Sequence, residues 1–251
     1  MIQSVDRAIR VLVALQGSRR MTLTELAASL DVPLSTAHGI VRTLVAHGMV
    51  VQERGSARYQ LGPAVLRLGN VYLDTLELRA RAIPWAEGLA QRTGCAVRTG
   101  VPLADDVVII HHEPRPDGRR QMPEVGIVIP MHASALGKAM LAFLAENAQR
   151  VLPAAASLRS MTAETITDPA ELERRLKDVA TTGIAVEEEE AVIGECALAS
   201  PIFDSSGMLG AIGIVVPAAD WPVDPPSRDA VRETARAISR ELGAASWLPL
   251  N

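Results

Sequence analysis

Two changes in periodicity predict an α+β chain in two parts. Residues 1–62 hold three apolar repeats at helical spacing, then two short extended runs around a glycine turn. Residues 83–251 alternate strand-like apolar runs with capped helices. A helical run over residues 63–82 joins them, so the expected divisions are 1–62, a linker helix at 63–82, and 83–251.

In the first part, Val5, Ala8, Ile9, Leu12, Val13 and Leu15 form one apolar stripe of a first helix. Thr22 and Glu25 have the three-residue spacing of a capping box, in which hydroxyl and carboxylate each accept from an exposed amide. Leu26, Ala27 and Leu30 share a face of the helix that follows. Asp31-Val32-Pro33 interrupts it, because a residue before proline is pushed out of helical backbone. Ser35 is the expected N-cap of a third helix, in which Ala37, Ile40, Val41 and Leu44 repeat at i, i+3, i+4 and i+7. Ser35, Thr36, His38, Gly39, Arg42 and Thr43 then face outward. Residues 49–53 and 58–61 read as strands reversed at Arg54-Gly55-Ser56-Ala57.

Three helices and a basic hairpin make a winged helix-turn-helix. Taken alone, the two-helix pattern fits a hairpin that merely packs; the flanking helix and wing favour double-stranded DNA as partner. Small hydroxyls, histidine and arginine suit phosphate and base-edge contacts. The candidate contacts are Thr24, Ser35, Thr36, His38, Arg42 and Thr43 on the helices and Arg54 and Arg58 on the wing. Charge supports this division. The chain carries a net charge of −4, yet residues 1–82 hold 10 arginines against 6 acids, and the remainder holds 15 basic against 23 acidic residues. A positive module on an acidic body concentrates attraction for phosphate at one end. The excess is small, so joined copies would bind far better than one.

Pro63 stands in the first turn of the joining helix, which is expected to run through Leu66, Leu68, Val71, Tyr72, Leu76 and Leu78 to about Ala82, with a break or kink at Pro84. Its stripe could meet a second copy or its own domain; the sequence leaves both open. Beyond it, residues 86–92 read as a helix, and 95–103 and 107–113 as strands around Ala104-Asp105-Asp106. A loop over 114–122 carries Arg115, Asp117, Arg119 and Arg120. A strand at 127–129 leads to Ser134, the expected cap of a helix at 135–141. Asp168, Pro169 and Glu171 open a helix that ends at Thr182 with Gly183 as its C-terminal cap. Residues 185–187, 197–203 and 208–216 are strands, the last two joined by a hairpin turn at 204–207, and 229–242 is a closing helix. Antiparallel strands flanked by helices suit a single sensory domain.

At 48% hydrophobic residues the chain can fill two cores, and nothing approaches the roughly 20 apolar residues that cross a bilayer. Charged residues near the start exclude a signal-peptide core. Two cysteines, Cys95 and Cys196, are most simply reduced thiols. A cytoplasmic protein with no membrane contact and no cofactor is expected. Catalysis is the competing class, as an enzyme or a metal-dependent sensor. His111, His112, Glu113, His132 and Cys196 are types used in such sites, but adjacent histidines on a strand point to opposite faces. No HExxH, CxxC or GxSxG pattern occurs, and Gly137-Lys138 lacks the rest of a P-loop. The acidic run at residues 187–190 reads as a solvated edge.

The segments LTELAASLDVPLSTAHGIVRTLVAHGMV, YQLGPAVLRLG, IPMHASALGKAMLAFL and GIAVEEEEAVIGECALASPIFDSSGMLGAIGIVVP, in this order, resemble the IclR family of bacterial transcriptional regulators along nearly the whole chain. STAHGIVRTL, YLDTLELRARAIPW and HHEPRPDGRRQ further resemble the family's repressors of glycerol-catabolism operons. The resemblance implies a GAF-like C-terminal effector domain, binding to palindromic operators, and a homodimer or a tetramer built as a dimer of dimers. It implies a ligand-responsive regulator, a repressor of a catabolic operon, whose operator affinity a small metabolite changes. It places the effector against Met131, Ala133, Ser134, Ala135, Leu136 and Gly137, the acid Glu187, and Ala197, Ala199, Gly213 and Val215. The helix start at Ser134 would offer amides to an anion, a small carboxylate or glycerol 3-phosphate.

Three departures follow. Ala197 stands where many relatives have cysteine, with Cys196 one position earlier on the opposite face. Gly213 and Val215 replace serines found in some relatives, which implies a less polar pocket floor. Gly39 replaces a larger, often basic residue, shifting base reading towards His38, Thr36 and Arg42. Arg98, Arg119 and Arg120 could supply charge for a phosphate, although surface pairing or solvation is the plainer reading.

Overall fold

The computed structural model describes residues 2–119, 121–144, 148 and 158–248, and the chain divides after Thr75 into two compact units. In the first, α1 (Gln3–Ser18), α2 (Leu23–Leu30) and α3 (Leu34–Ala46) pack around Val11, Leu15, Leu26, Leu30, Val41, Leu44 and Val50. The stripe predicted for α1 is only partly used. Val11 and Leu15 are buried, whereas Val5, Ile9 and Val13 are more than half exposed, because the face turned inward runs through Ala8, Val11, Leu12 and Leu15.

The capping box of α2 is complete. The Glu25 amide donates to Thr22 Oγ1 at 3.2 Å, and the Thr22 amide donates to Glu25 Oε2 at 2.7 Å. Asp31 ends α2 in the left-handed region at φ 53°. Pro33, not Ser35, is the N-cap of α3; its extended backbone starts the helix directly at Leu34, which leaves Ser35 inside the first turn and exposed. The wing is β2 (Val50–Gln52) paired with β3 (Arg58–Leu61), turned at Gly55 with φ 76°. A two-residue strand, β1 (Met21–Thr22), adds to the other edge of β3; it is too short for any periodicity to reveal.

The helix expected over 63–82 is two helices. α4 (Pro63–Thr75) ends where Thr75 Oγ1 donates to the Tyr72 carbonyl at 2.7 Å, and Leu76 is extended before α5 (Glu77–Thr93) begins. Pro84 lies inside α5 and does not end it. The carbonyl it leaves without a donor belongs to Ala80, an exposed residue, so water can satisfy it.

In the second unit, β4 (Ala96–Leu103), β5 (Asp106–Glu113), β6 (Val128–Pro130), β7 (Ala185–Glu188), β8 (Glu195–Asp204) and β9 (Gly207–Pro217) form one antiparallel sheet in the order β6-β5-β4-β9-β8-β7. α6 (Ala135–Leu141) and α7 (Pro169–Thr182) cover one face over Ala185, Ala197, Ala199 and Val215. α5 and α8 (Pro225–Glu241) pack on the other. The Asp168 cap and Gly183 stop of α7 stand as read. α8 starts earlier than expected, because Asp224 caps it with the same Asp-Pro logic as α7, its side chain accepting from the Ser227 amide at 3.1 Å. Among the described residues, no helix is long and apolar enough to cross a membrane.

Candidate functional site

The first unit presents a polar strip on α3. Ser35, His38 and Arg42, spaced i, i+3 and i+7, are exposed opposite the buried Ala37, Val41 and Leu44. Thr36 is half-buried at the edge of this strip. Thr43 is turned away: its hydroxyl donates to the Gly39 carbonyl at 3.0 Å, and it lines an apolar groove with Val5, Ile9 and Ile40. Thr24 is exposed in the first turn of α2. On the wing, Arg54 is exposed at the turn and Arg58 lies 3.5 Å from Glu25. Arg42 and Arg54 form no ion pair among the described residues, so their charge is available to phosphate.

The second unit buries its predicted site residues together. Strand register sets Glu187 opposite Ala197, Ala197 opposite Val215, and Val215 opposite Ala96. Two residues along each strand, on the same face, Ala185, Ala199, Gly213, Arg98 and His112 follow in line. Met131, Ala133, Ser134, Ala135 and Leu136 are buried above this face, and Ser134 caps α6, its Oγ accepting from the Gly137 amide at 3.1 Å and donating to the Pro130 carbonyl at 2.8 Å. The cap thus satisfies the Gly137 amide, and the Lys138 amide donates to the Ser134 carbonyl at 2.9 Å. Two glycines have packing reasons of their own. A Cβ at Gly137 would fall 2.2 Å from Met131 Cα, and one at Gly213 would fall 2.2 Å from the Leu198 carbonyl oxygen.

The acidic run is not a solvated edge. Glu187 and Glu190 are buried; Glu188 is exposed and Glu189 half-buried. Burial pushes the Glu187 carboxyl up to about 7, against the Ala191 amide and the charge of Lys138, which both favour ionisation. Lys138 is itself buried and donates to Glu190 Oε1 at 2.5 Å, while Glu190 Oε2 has no partner among the described residues. Burial disfavours both charges of this pair and their contact favours them. His111 and His112 lie on opposite faces, the first pulled down to about 4 by burial and by Arg79. His132 Nε2 is bonded to the Arg159 carbonyl at 2.8 Å. Arg120 lies outside the described residues.

Known proteins match both units. The model of the IclR helix-turn-helix domain matches residues 4–54, and that of the bacterial transcriptional regulator IclR C-terminal region matches residues 70–240. The chain belongs to the IclR family. It is 41% identical to the glycerol operon regulatory protein of Streptomyces coelicolor over 98% of each chain, and 42% identical to that of Streptomyces griseus with the same coverage. The crystal structure of an IclR-type regulator from Alicyclobacillus acidocaldarius is 30% identical, with a TM-score of 0.82 over 97% of this chain and 100% of that one. This IclR-family protein is therefore a ligand-responsive, DNA-binding transcriptional regulator and not an enzyme.

Two polar groupings of the effector unit escaped the sequence reading: the Lys138–Glu190 pair, and Arg98 held between Glu124 and Glu195. One signal was available. Arg98 alternates with Ala96 and Gly100 on a buried strand, so it had to point inward at the position of its pleat.

Proposed function

We propose that this regulator represses a catabolic operon from the cytoplasm, binding double-stranded operator DNA as a homodimer or a dimer of dimers and changing its affinity when a small metabolite binds the second unit. The exposed Ser35–His38–Arg42 strip beside the wing carries this reading. Thr24, Thr36, Arg54 and Arg58 are assigned to the periphery of the DNA contact, and Thr43, turned towards α1, is left out of it. The two glycerol operon regulatory proteins support a glycerol-related operon and make glycerol 3-phosphate the first candidate effector, with small carboxylates next. The effector is assigned to the face formed by Met131, Ala133, Ser134, Ala135, Leu136, Glu187, Ala197, Ala199 and Val215, with Gly137 and Gly213 letting its walls approach.

The oligomer reading is supported by α4. No residue of this helix is buried, and Leu66, Leu68, Val71 and Tyr72 are all about half exposed or more. The division of labour places DNA reading in residues 1–62, copy-to-copy contact on the linker helix, and sensing from Leu76 onward. Fluorescence anisotropy with duplexes from the protein's own promoter and from promoters beside glycerol-uptake genes tests it. Salt-sensitive binding altered by glycerol 3-phosphate is expected. Failure to bind any such duplex at low salt removes the assignment.

A further inference from the structure

Arg98 stands on the effector-facing side of the sheet, opposite Gly213 on β9 and His112 on β5 and two residues along β4 from Ala96. A cleft of about 280 Å³ opens there, lined by Ala96, Arg98, Val215 and Glu195 and by Gln121 and Glu124 from the segment between β5 and β6. Only 15% of the Arg98 side chain is exposed. Its guanidinium is gripped twice by Glu124, through Nε to Oε2 and through Nη2 to Oε1 at 2.9 Å, and once by Glu195 at 3.0 Å.

These partners are not equivalent. Arg98 is fixed in the ladder by strands on both sides, and Glu195 opens β8 opposite Pro217. Glu124 belongs to no strand; beyond it the Gly126 amide donates to the Ile109 carbonyl at 2.8 Å. Glu124 can therefore exchange the guanidinium for water without breaking strand pairing, and Arg98 cannot. His112 is the weaker candidate for anion anchor: burial pulls its ring below the ordinary imidazole range, and its Nε2 lies 3.8 Å from Glu124, beyond hydrogen-bond distance.

We propose that Glu124 is an internal stand-in for the effector, and that a small oxyanion, carboxylate or phosphate monoester, takes its place on Arg98 in this cleft. The proposal rests on the assignment of this face to the effector. A planar guanidinium receives a carboxylate or a phosphate through the same two-pronged geometry. Exchanging one anion for another keeps the two-pronged, charge-assisted contact on Arg98, whereas a neutral polyol would displace Glu124 only by giving that contact up and leaving Glu195 as the one carboxylate on the guanidinium.

Calorimetry on the full-length protein tests it with three probes: glycerol 3-phosphate, inorganic phosphate and glycerol. In E124Q a neutral amide competes for Arg98, so the Kd for glycerol 3-phosphate is expected to fall by roughly tenfold, the scale of one charge-assisted hydrogen bond. R98K keeps the charge but loses the fork, and is expected to weaken binding roughly tenfold with an unchanged circular dichroism spectrum. Three results overturn the proposal: E124Q affinity that is unchanged or weaker, glycerol binding as tightly as glycerol 3-phosphate, or no binding of either anion to wild type and E124Q. Duplex binding without metabolite is measured alongside. Its loss in wild type strikes the proposed function; its retention with unaltered E124Q affinity strikes only the exchange on Arg98.

Discussion

The two polar surfaces of this regulator are built on opposite principles. On α3 and the wing, Ser35, His38, Arg42 and Arg54 stand in water, and Arg58 has only a solvent-exposed contact with Glu25. In the effector unit, Arg98 and Glu187 on the sheet, Lys138 on α6 and Glu190 just past β7 are held largely out of water, and each depends on a neighbour to remain charged or hydrogen-bonded. A surface that reads a polyanion needs available charge and loses little when one group is removed. A surface that senses a small molecule works with desolvated groups, where each electrostatic contact is stronger and each unpaired group costs more. Substitutions of similar chemistry should therefore have unequal effects in the two units.

The largest effect is expected at the buried pair. Lys138→Met leaves Glu190 without its cation and should destabilise the effector unit by about 3–5 kcal/mol. Thermal unfolding should show this loss, and Lys138→Met combined with Glu190→Met should recover much of it. A loss below about 1 kcal/mol, the scale of exposed pairs, would erase the contrast between the units.

Glu187 sharpens the contrast through pH. Its folded-state pKa is raised from 4.5 to about 7, so the native chain binds this proton more tightly than the unfolded chain does. The contribution is therefore fully present below about 4.5 and is lost as pH rises through about 7, up to about 3 kcal/mol in all. Glu187→Gln should flatten that part of the stability–pH curve measured by urea unfolding; an unaltered slope would show that Glu187 ionises freely.

Gly213→Val comes next. Its new side chain meets the Leu198 carbonyl and Ala199, so a loss of about 1–3 kcal/mol is expected along with a blunted effector response. Bulk at the buried Ala135 should blunt the response with duplex binding retained, a result that operator titrations with and without glycerol 3-phosphate would show. The smallest effect belongs to the first unit. Thr22→Ala removes one half of a solvent-exposed capping box and should cost about 1 kcal/mol in chemical denaturation.

The sequence was most legible where structure is local. The Thr22–Glu25 box, the Asp168 cap, the Gly183 stop and the wing depend on residues a few positions apart, and each stands where it was read. Local rules in competition were harder: Pro33 outranked Ser35 as a cap, and Pro84 was tolerated because Ala80 faces water. Strand alternation alone could not bring Glu187, Ala197 and Val215 together; the family resemblance grouped them, and the register that sets them side by side arises from pairing between distant strands. The partners of Arg98 lie 26 and 97 residues away, and Glu190 lies 52 residues from Lys138. Nothing in a run of four glutamates distinguishes the two that find buried partners from the one left in solvent.

Arg42 offers the most direct test of the account, because it is an exposed cation that forms no ion pair among the described residues. Anisotropy titration of Arg42→Ala against the operator should show affinity lowered by roughly tenfold or more, the cost of about one lost base or phosphate contact. Calorimetric binding of the effector and the unfolding temperature should stay at wild-type values. Operator affinity equal to wild type would contradict the assignment of α3 as the element that reads DNA.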